Sequence, residues 1–232
     1  MTMRTLKGSL CAAGMSALVL ALAAASPAPA QQTEAEHAIK LAPPREASGV
    51  SVEQALKGRR SLRAFSAQPL TLAEVAQLLW AAQGVTDDRG RRTAPSAGAL
   101  YPLELLLVAG NVTGLAPGIY RYRPASHDLV PVAAADRRPE VVATCRQGWV
   151  GQAPAIVAVA AVEARTARKY GARSTRYVAI EVGAAAENLA LQASALGLGT
   201  TVVGAFDDAK LAAALGTAGD EQPLALLPVG RK

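Results

Sequence analysis

The 232-residue sequence carries a formal charge of +6, from 24 Lys and Arg against 18 Asp and Glu, and only 4% of its residues are aromatic. A surplus this small and scattered, with few rings for base stacking, argues against a nucleic-acid binder. Two cysteines and two histidines (His37 and His127) without a ligand cluster argue against a metal centre.

Residues 1–30 run from Arg4 and Lys7 through an apolar stretch, Leu10 to Ala25, to Ala28-Pro29-Ala30. That order of charged, apolar and small residues is a secretory signal peptide, with cleavage expected after Ala30. The apolar stretch is shorter than the roughly 20 residues of a spanning helix. Cys11 precedes the stretch instead of closing it, so it is not a lipid-attachment cysteine, and no arginine pair marks twin-arginine export. The expected location is periplasmic or secreted, the alternative being a membrane tether formed by an uncleaved N-terminus. Cleavage removes Arg4 and Lys7, lowering the charge from +6 to +4, and leaves Cys145 with no partner for a disulfide. The remaining chain of about 200 residues suits a single domain with a real core.

Residues 31–50, with Pro43-Pro44 and Gly49, read as an irregular leader, and 51–232 as the domain. Ser51 caps a short helix to Lys57 that presents Val52, Ala55 and Leu56 on one face, and Gly58 stops it. GRRSLRAF (58–65) follows. Thr71-Leu72-Ala73-Glu74 is a capping box opening a second helix, striped by Leu72, Val75, Leu78, Leu79 and Ala82 and ended by Gly84. A polar loop at 87–92 leads into PSAGALYPLE (95–104).

The period then changes. LELLLVAG (103–110) and AIVAVAAV (155–162) are continuous apolar runs of strand length, and 118–132 alternates like a hairpin around Pro124 to Asp128. A long helix is predicted from about Arg176 to Leu196, with Gly197 as its stop. It is apolar nearly all round, so it should pack on both the sheet and something else, such as a second subunit. TTVVGAF, a helix from Asp207 to Leu215 and a strand at LALLPVG follow. Interleaved helices and strands with an antiparallel hairpin point to an α+β layered sandwich instead of a purely alternating parallel fold.

Three segments carry candidate chemistry. Arg59, Arg60 and Arg63 in GRRSLRAF are either a solvated turn at a helix end or donors for an anion. Ser61 between guanidinium forks suits a phosphate dianion, and Leu62 and Phe65 would anchor the segment on the core. In PSAGALYPLE, Pro95, Gly98 and Pro102 fix a turn that is either an ordinary loop before a strand or one whose small Ser96 and Ala97 allow close approach of a flat ligand. In GLGTTVVGAF, Gly204 is either a plain strand-to-turn glycine or one that presents a backbone N–H to a ring nitrogen. The spacing of GLGTTVVG, ahead of a strand instead of a helix, does not make a dinucleotide fingerprint.

GRRSLRAF, PSAGALYPLE, GIYRYRPASHDL, KYGARSTRY, ENLALQASALGLGTT and LLPVGR together resemble the nitroreductase family of FMN-dependent oxidoreductases, and within it the SagB-type dehydrogenases. The resemblance covers about residues 50 to 231. It implies an α+β three-layer sandwich with a mixed, largely antiparallel sheet flanked by helices, and a homodimer with FMN at the subunit interface, acting on a small-molecule substrate. Arg59, Arg60 and Ser61 would hold the FMN phosphate, assisted by Arg231. Arg63 would lie at the pyrimidine edge, Pro95, Ser96, Ala97 and Gly98 along the ring, and the Val203-Gly204 backbone at N5. Tyr101 would line the substrate face, and Lys169 and Tyr170 match a catalytic Lys-Tyr pair of azoline-oxidising relatives, against a surface lysine and an interfacial tyrosine at a helix start. Glu181 and Glu187 would satisfy arginines or a dimer contact, and Asn188 would be structural.

Ala97, Ala99 and Tyr101 stand where typical nitroreductases carry serine, asparagine and glutamine, which weakens an assignment to nitroaromatic reduction. Arg231, next to the last residue here, is expected to be loosely fixed. Export makes NAD(P)H scarce, so the electron donor stays open between NAD(P)H, the substrate itself and a membrane carrier. A flavin-free ligand-binding module on the same fold is the alternative function.

Overall fold

A computed structural model describes residues 1–2, 38–217 and 219–232 of the protein. The expected signal peptide beyond residue 2, its cleavage site and the first seven residues of the leader (31–37) therefore lie outside the described residues, whereas the rest of the leader is described and its Ile39–Lys40 form a strand.

Both early helices start where their caps place them. α1 (Val52–Gly58) follows Ser51, whose hydroxyl accepts from the Gln54 N–H while the Gln54 side chain accepts from the Ser51 N–H. α2 (Leu72–Gln83) follows Thr71 through the same reciprocal arrangement with Glu74, and its stripe of Val75, Leu78, Leu79 and Ala82 is buried.

Seven strands make the main sheet: β1 (Ile39–Lys40), β3 (Leu103–Ala109), β5 (Gly118–Arg123), β6 (Asp128–Ala134), β7 (Ala155–Ala161), β8 (Gly199–Thr200) and β9 (Gln222–Gly230). Their order is β1-β6-β5-β3-β7-β9-β8, with every neighbouring pair antiparallel. Among the described residues, parallel pairing is confined to a two-stranded ladder, β2 (Leu70–Thr71) with β4 (Val112–Thr113), and a single bridge from Ser61 to Thr200.

The continuous apolar runs are explained by burial on both sheet faces. Leu103, Leu105 and Leu107 of β3 join Val157, Val159 and Leu227 beneath α2 and the long helix α5 (Ser174–Ala195). Leu106 and Val108 join Ile156, Ala158 and Leu226 beneath α3 (Arg138–Ala143) and α6 (Asp208–Leu215). Helices on both faces of one sheet give the three-layer α+β architecture, consistent with alternation of side chains across a strand.

Several boundaries differ from the sequence reading. α5 begins at Ser174, and of TTVVGAF only Thr200, at the end of β8, lies in a named strand, with Val203 making an isolated bridge to Leu226. α3 and α4 (Glu163–Tyr170) were not anticipated, because each buries a single side chain, Val141 and Thr166, and so shows no apolar stripe. Lys169 and Tyr170 consequently close a helix instead of opening one.

Candidate functional site

GRRSLRAF lies at the wall of a cavity of about 440 Å³. α1 ends at Gly58, and Arg59 turns the chain into an extended path with φ −58° and ψ 125°. Ser61 then bridges to Thr200, and the Leu62 N–H donates to the Thr200 carbonyl at 3.0 Å. Glycine is needed opposite, since a Cβ on Gly199 would lie 2.7 Å from Leu62 Cβ. The cavity is lined by Arg59, Arg60 and Ser61, by Ser194 of α5, by Gly197 to Thr200, and by Lys232.

Its donors are unevenly engaged. Arg59 Nε is 3.3 Å from Glu187 Oε1, as the arginine-partner reading of Glu187 expected. Arg60 Nη1 donates to the carbonyls of Lys57 at 3.0 Å and Arg59 at 2.7 Å, folding its guanidinium over the turn. Thr200 Oγ1 is buried with no hydrogen-bond partner. A buried hydroxyl without a partner is costly unless a ligand or water supplies one.

Arg63 is exposed and does not line this cavity. Arg231 was expected to assist there, but Nη1 donates to the Pro69 carbonyl at 2.8 Å and Nη2 is 2.5 Å from Glu74 Oε1. Glu74 already caps α2, so Arg231 is firmly held and directed away, and the cavity receives Lys232 instead. The signal for Lys232 was present in the sequence as the cation beside Arg231.

The second group surrounds Gly98. Ala97–Ala99 form a 3₁₀ turn in which Gly98 has φ 64°, and Ala99 and Tyr101 also have positive φ, 54° and 46°. Left-handed geometry at non-glycine residues costs about 1–2 kcal/mol each, so the surroundings must hold it in place. The Tyr101 N–H donates to Ser96 Oγ at 2.9 Å, and Arg165 Nη1 donates to the Tyr101 carbonyl at 3.0 Å. Arg165 is itself fixed by Glu104, 2.6 Å from Nη2, and Glu104 by Arg121, which is paired with Glu221. The Arg92 guanidinium sits 4.4 Å from the Tyr101 ring centroid, a cation–π contact the sequence reading missed inside its polar loop.

Lys169 and Tyr170 lie on this turn. A Cβ on Gly98 would be 3.1 Å from Lys169 Nζ and 2.9 Å from the Tyr170 hydroxyl, so the bare glycine admits both polar groups to the backbone. Tyr170 is braced edge-to-face on Tyr177, with centroids 4.9 Å apart. Glu181 stands beneath, 2% exposed, with Oε1 lacking a partner. Burial raises its carboxyl pKa, opposed by the Ser96 hydroxyl and the Arg92 charge. Asn188 is structural, its Nδ2 donating to the Thr93 carbonyl at 3.1 Å.

The third segment is simpler. Val203 exchanges both backbone hydrogen bonds with Leu226, at 2.8 and 2.9 Å, whereas Gly204 is exposed with open space where a Cβ would stand. Of the Val203-Gly204 pair, only the glycine has its surroundings open.

The structure thus brings Arg59, Arg60 and Ser61 together, and separately Pro95 to Gly98 with Lys169 and Tyr170. The first group lies against the C-terminal half of α5, at Ala190 and Ser194, and the second against Glu181 in its N-terminal half. From Glu181 to Ser194 the helix rises about 20 Å.

The model of the nitroreductase family matches residues 56–231. A provisionally named nitroreductase of Methanocaldococcus jannaschii is 44% identical over 184 residues, 79% of this chain and 92% of the relative. The crystal structure of a provisionally named nitroreductase from Ralstonia eutropha superposes with TM-score 0.75 at 34% identity, covering 84% of this chain and 89% of its own. An NADPH:FMN oxidoreductase from Vibrio harveyi, complexed with NAD+, shares the fold with TM-score 0.56 at 18% identity, over 78% of this chain and 68% of its own.

Proposed function

The chain belongs to the nitroreductase family, whose members are typically FMN-dependent homodimers, and from that premise we propose that it is an FMN-dependent oxidoreductase of the SagB-type dehydrogenase branch. In this reading it moves hydride to or from a small organic substrate. The observation that carries the proposal is the cavity at Arg59, Arg60, Ser61, Thr200 and Lys232. Three cations, a serine hydroxyl and an unpartnered threonine hydroxyl suit a phosphate dianion, and the cavity falls in the usual range of cofactor sites, about 300–1,000 Å³.

When bound, FMN supplies the atom that accepts or gives hydride. Arg59, Arg60, Ser61 and Lys232 hold its phosphate, Lys232 taking the part first assigned to Arg231. Arg63 would supply positive charge toward the pyrimidine edge, and Gly204 would offer its N–H to the ring. The Pro95 to Gly98 turn excludes water from the ring face. Lys169 Nζ takes or gives a proton at the substrate, and the Tyr170 hydroxyl orients it. The 20 Å separation of the two groups along α5, at about 1.5 Å per residue, favours a homodimer in which the turn of one copy completes the cavity of the other.

We place the mature enzyme in the periplasm or medium, on the ordered charged, apolar and small residues of its first thirty positions. No helix among the described residues is long and apolar enough to cross a membrane. Purification of the full-length gene product from a periplasmic fraction tests the reading. The expected preparation is yellow, releases FMN on denaturation and begins at Gln31. A colourless protein that takes up no FMN when it is supplied overturns the flavin assignment.

A further inference from the structure

Residues 31–232 carry 22 Lys and Arg against 18 Asp and Glu, a surplus of four. The whole surplus falls in one stretch. Glu163 to Arg176 holds Arg165, Arg168, Lys169, Arg173 and Arg176 against Glu163 alone, and the other charges of residues 31–232 balance at 17 and 17. A chain that is otherwise neutral concentrates its positive field there. The structure sets this stretch on the Gly98 turn. Arg165, Arg168 and Lys169 stand at i, i+3 and i+4 on α4 and so share one face. Arg165 Nη1 reaches the Tyr101 carbonyl, and Lys169 Nζ lies 3.1 Å from where a Cβ on Gly98 would be. That face is therefore the one turned to the proposed substrate side, and Arg168 stands on it. Arg173 and Arg176 follow at the N-cap and first turn of α5, which the edge-to-face pair Tyr170–Tyr177 ties to the end of α4.

Local acids do not neutralise these cations. Glu163 Oε1 accepts from Ser174 Oγ and Thr175 Oγ1, each at 2.6 Å, Glu104 is shared by Arg165 and Arg121, and Glu181 is buried. Among the described residues, Arg168, Lys169, Arg173 and Arg176 meet no carboxylate within ion-pair distance, and all four are exposed. Helix stability does not account for the set either. Arg168 and Lys169 suit the C-terminal end of α4, but Arg173 and Arg176 stand at the positive end of the α5 dipole, which disfavours cations. Like charges gathered this way repel one another, and an incoming anion relieves them.

We propose that the small organic substrate of this site is an anion, with a carboxylate or similar acidic group beside the atoms that exchange hydride, and that Arg168 and Arg173 are its specificity-determining residues. The inference rests on the reading of Lys169 and the Gly98 turn as the substrate side of the site, and adds the substrate's charge to it. The rim draws the anion in and keeps its acidic end at the mouth, leaving the uncharged part to Lys169 and Tyr170. Steering of this kind raises association rates about 10- to 1,000-fold, and salt screens it beyond about 8 Å at physiological ionic strength.

The probes are 1,4-naphthoquinone-2-sulfonate and 2-methyl-1,4-naphthoquinone, a charged and a neutral acceptor on one ring system. The protein is photoreduced, so no nicotinamide is present. Each quinone takes two electrons and two protons from the reduced flavin and leaves as the hydroquinone, and stopped-flow absorbance gives the two second-order rate constants. Arg168→Glu with Arg173→Glu is expected to lower the ratio of sulfonate to neutral rate at least tenfold, and Arg168→Lys with Arg173→Lys to restore it. Arg146→Glu with Lys210→Glu, the same charge change beneath the other face of the sheet, is expected to leave the ratio alone. In wild type, which needs no variant to fold, raising salt from about 20 to 500 mM is expected to lower the ratio as well. A ratio that neither salt nor the reversal moves overturns the proposal. So does a reversal that slows reduction of the oxidised protein by NADH while sparing the sulfonate, since the cations then serve the electron donor. Equilibrium dialysis with naphthalene-2-sulfonate repeats the comparison without flavin chemistry. Protein that refuses FMN yet binds this sulfonate at least tenfold more tightly than the reversal variant keeps the anion site and loses the flavin reading. Protein that holds FMN and shows an unmoved ratio keeps the flavin reading and loses the anion site.

Discussion

Replacing Arg59 and Arg60 with alanine should turn a yellow protein colourless. Each guanidinium contributes charge-assisted hydrogen bonds to a bound phosphate worth about 1.5–3 kcal/mol. Every 1.4 kcal/mol or so is tenfold in affinity, so one arginine accounts for about 10- to 150-fold. The structure sets where in that range each falls. Arg59 has 37% of its side chain exposed and is partly neutralised by Glu187, which places it toward the lower end. Arg60 also holds the Lys57 and Arg59 carbonyls, so its removal loosens the turn as well as deleting a charge. The two share one ligand and are not additive, and a combined loss of about three orders of magnitude is the expectation. Titration of the stripped protein with FMN, followed by calorimetry, gives the affinities, and Glu187→Gln supplies the opposite sign by releasing Arg59. A double variant that keeps stoichiometric FMN through desalting, with its fold intact, would refute the reasoning.

Lys169→Met should leave FMN content unchanged and lower turnover at least a hundredfold, read in single-turnover flavin reduction by substrate. Arg63→Ala should also retain FMN but lower its midpoint potential by tens of millivolts, at about 30 mV per 1.4 kcal/mol of lost stabilisation; an unchanged spectroelectrochemical midpoint removes the residue from the ring edge. Gly98→Ala forces a methyl group into left-handed backbone and against Lys169 and Tyr170, costing about 1–3 kcal/mol in chemical denaturation. For Glu181, burial raises the folded pKa above the unfolded value, so the folded state holds the extra proton and stability falls as pH rises from the unfolded toward the folded pKa. Glu181→Gln should flatten that slope in melting curves taken across the same window.

How far the sequence led depended on whether local chemistry or tertiary placement decided the outcome. Thr71 and Glu74 announced α2 because a capping box is satisfied within one turn. The runs at 103–109 and 155–161 were legible as strands because burial on both faces removes any alternation. α4 was not legible: EARTARKY buries only Thr166 and owes its place to Arg165 reaching Glu104 and Tyr101, partners about 60 positions away. Arg231 was expected at the cavity because nothing local shows that Glu74 and the Pro69 carbonyl, 157 and 162 positions earlier, hold its guanidinium, while Lys232 lines the cavity. Arg92 stayed hidden in a run of charges until Tyr101 was seen against it.

The bridge from Ser61 to Thr200 has one more effect. It closes the arginine turn with a segment 139 positions later in the chain, itself paired with β9. An intermediate lacking β8 or β9 has the arginines but no pocket. Flavin uptake would then be a late event in refolding, reporting completion of the sheet, whereas helical circular dichroism would report its beginning. Ligand that recognises only the finished fold adds stability as RT ln(1 + [L]/Kd). Supplying FMN during expression should therefore raise the yield of intact protein and leave the early folding steps untouched.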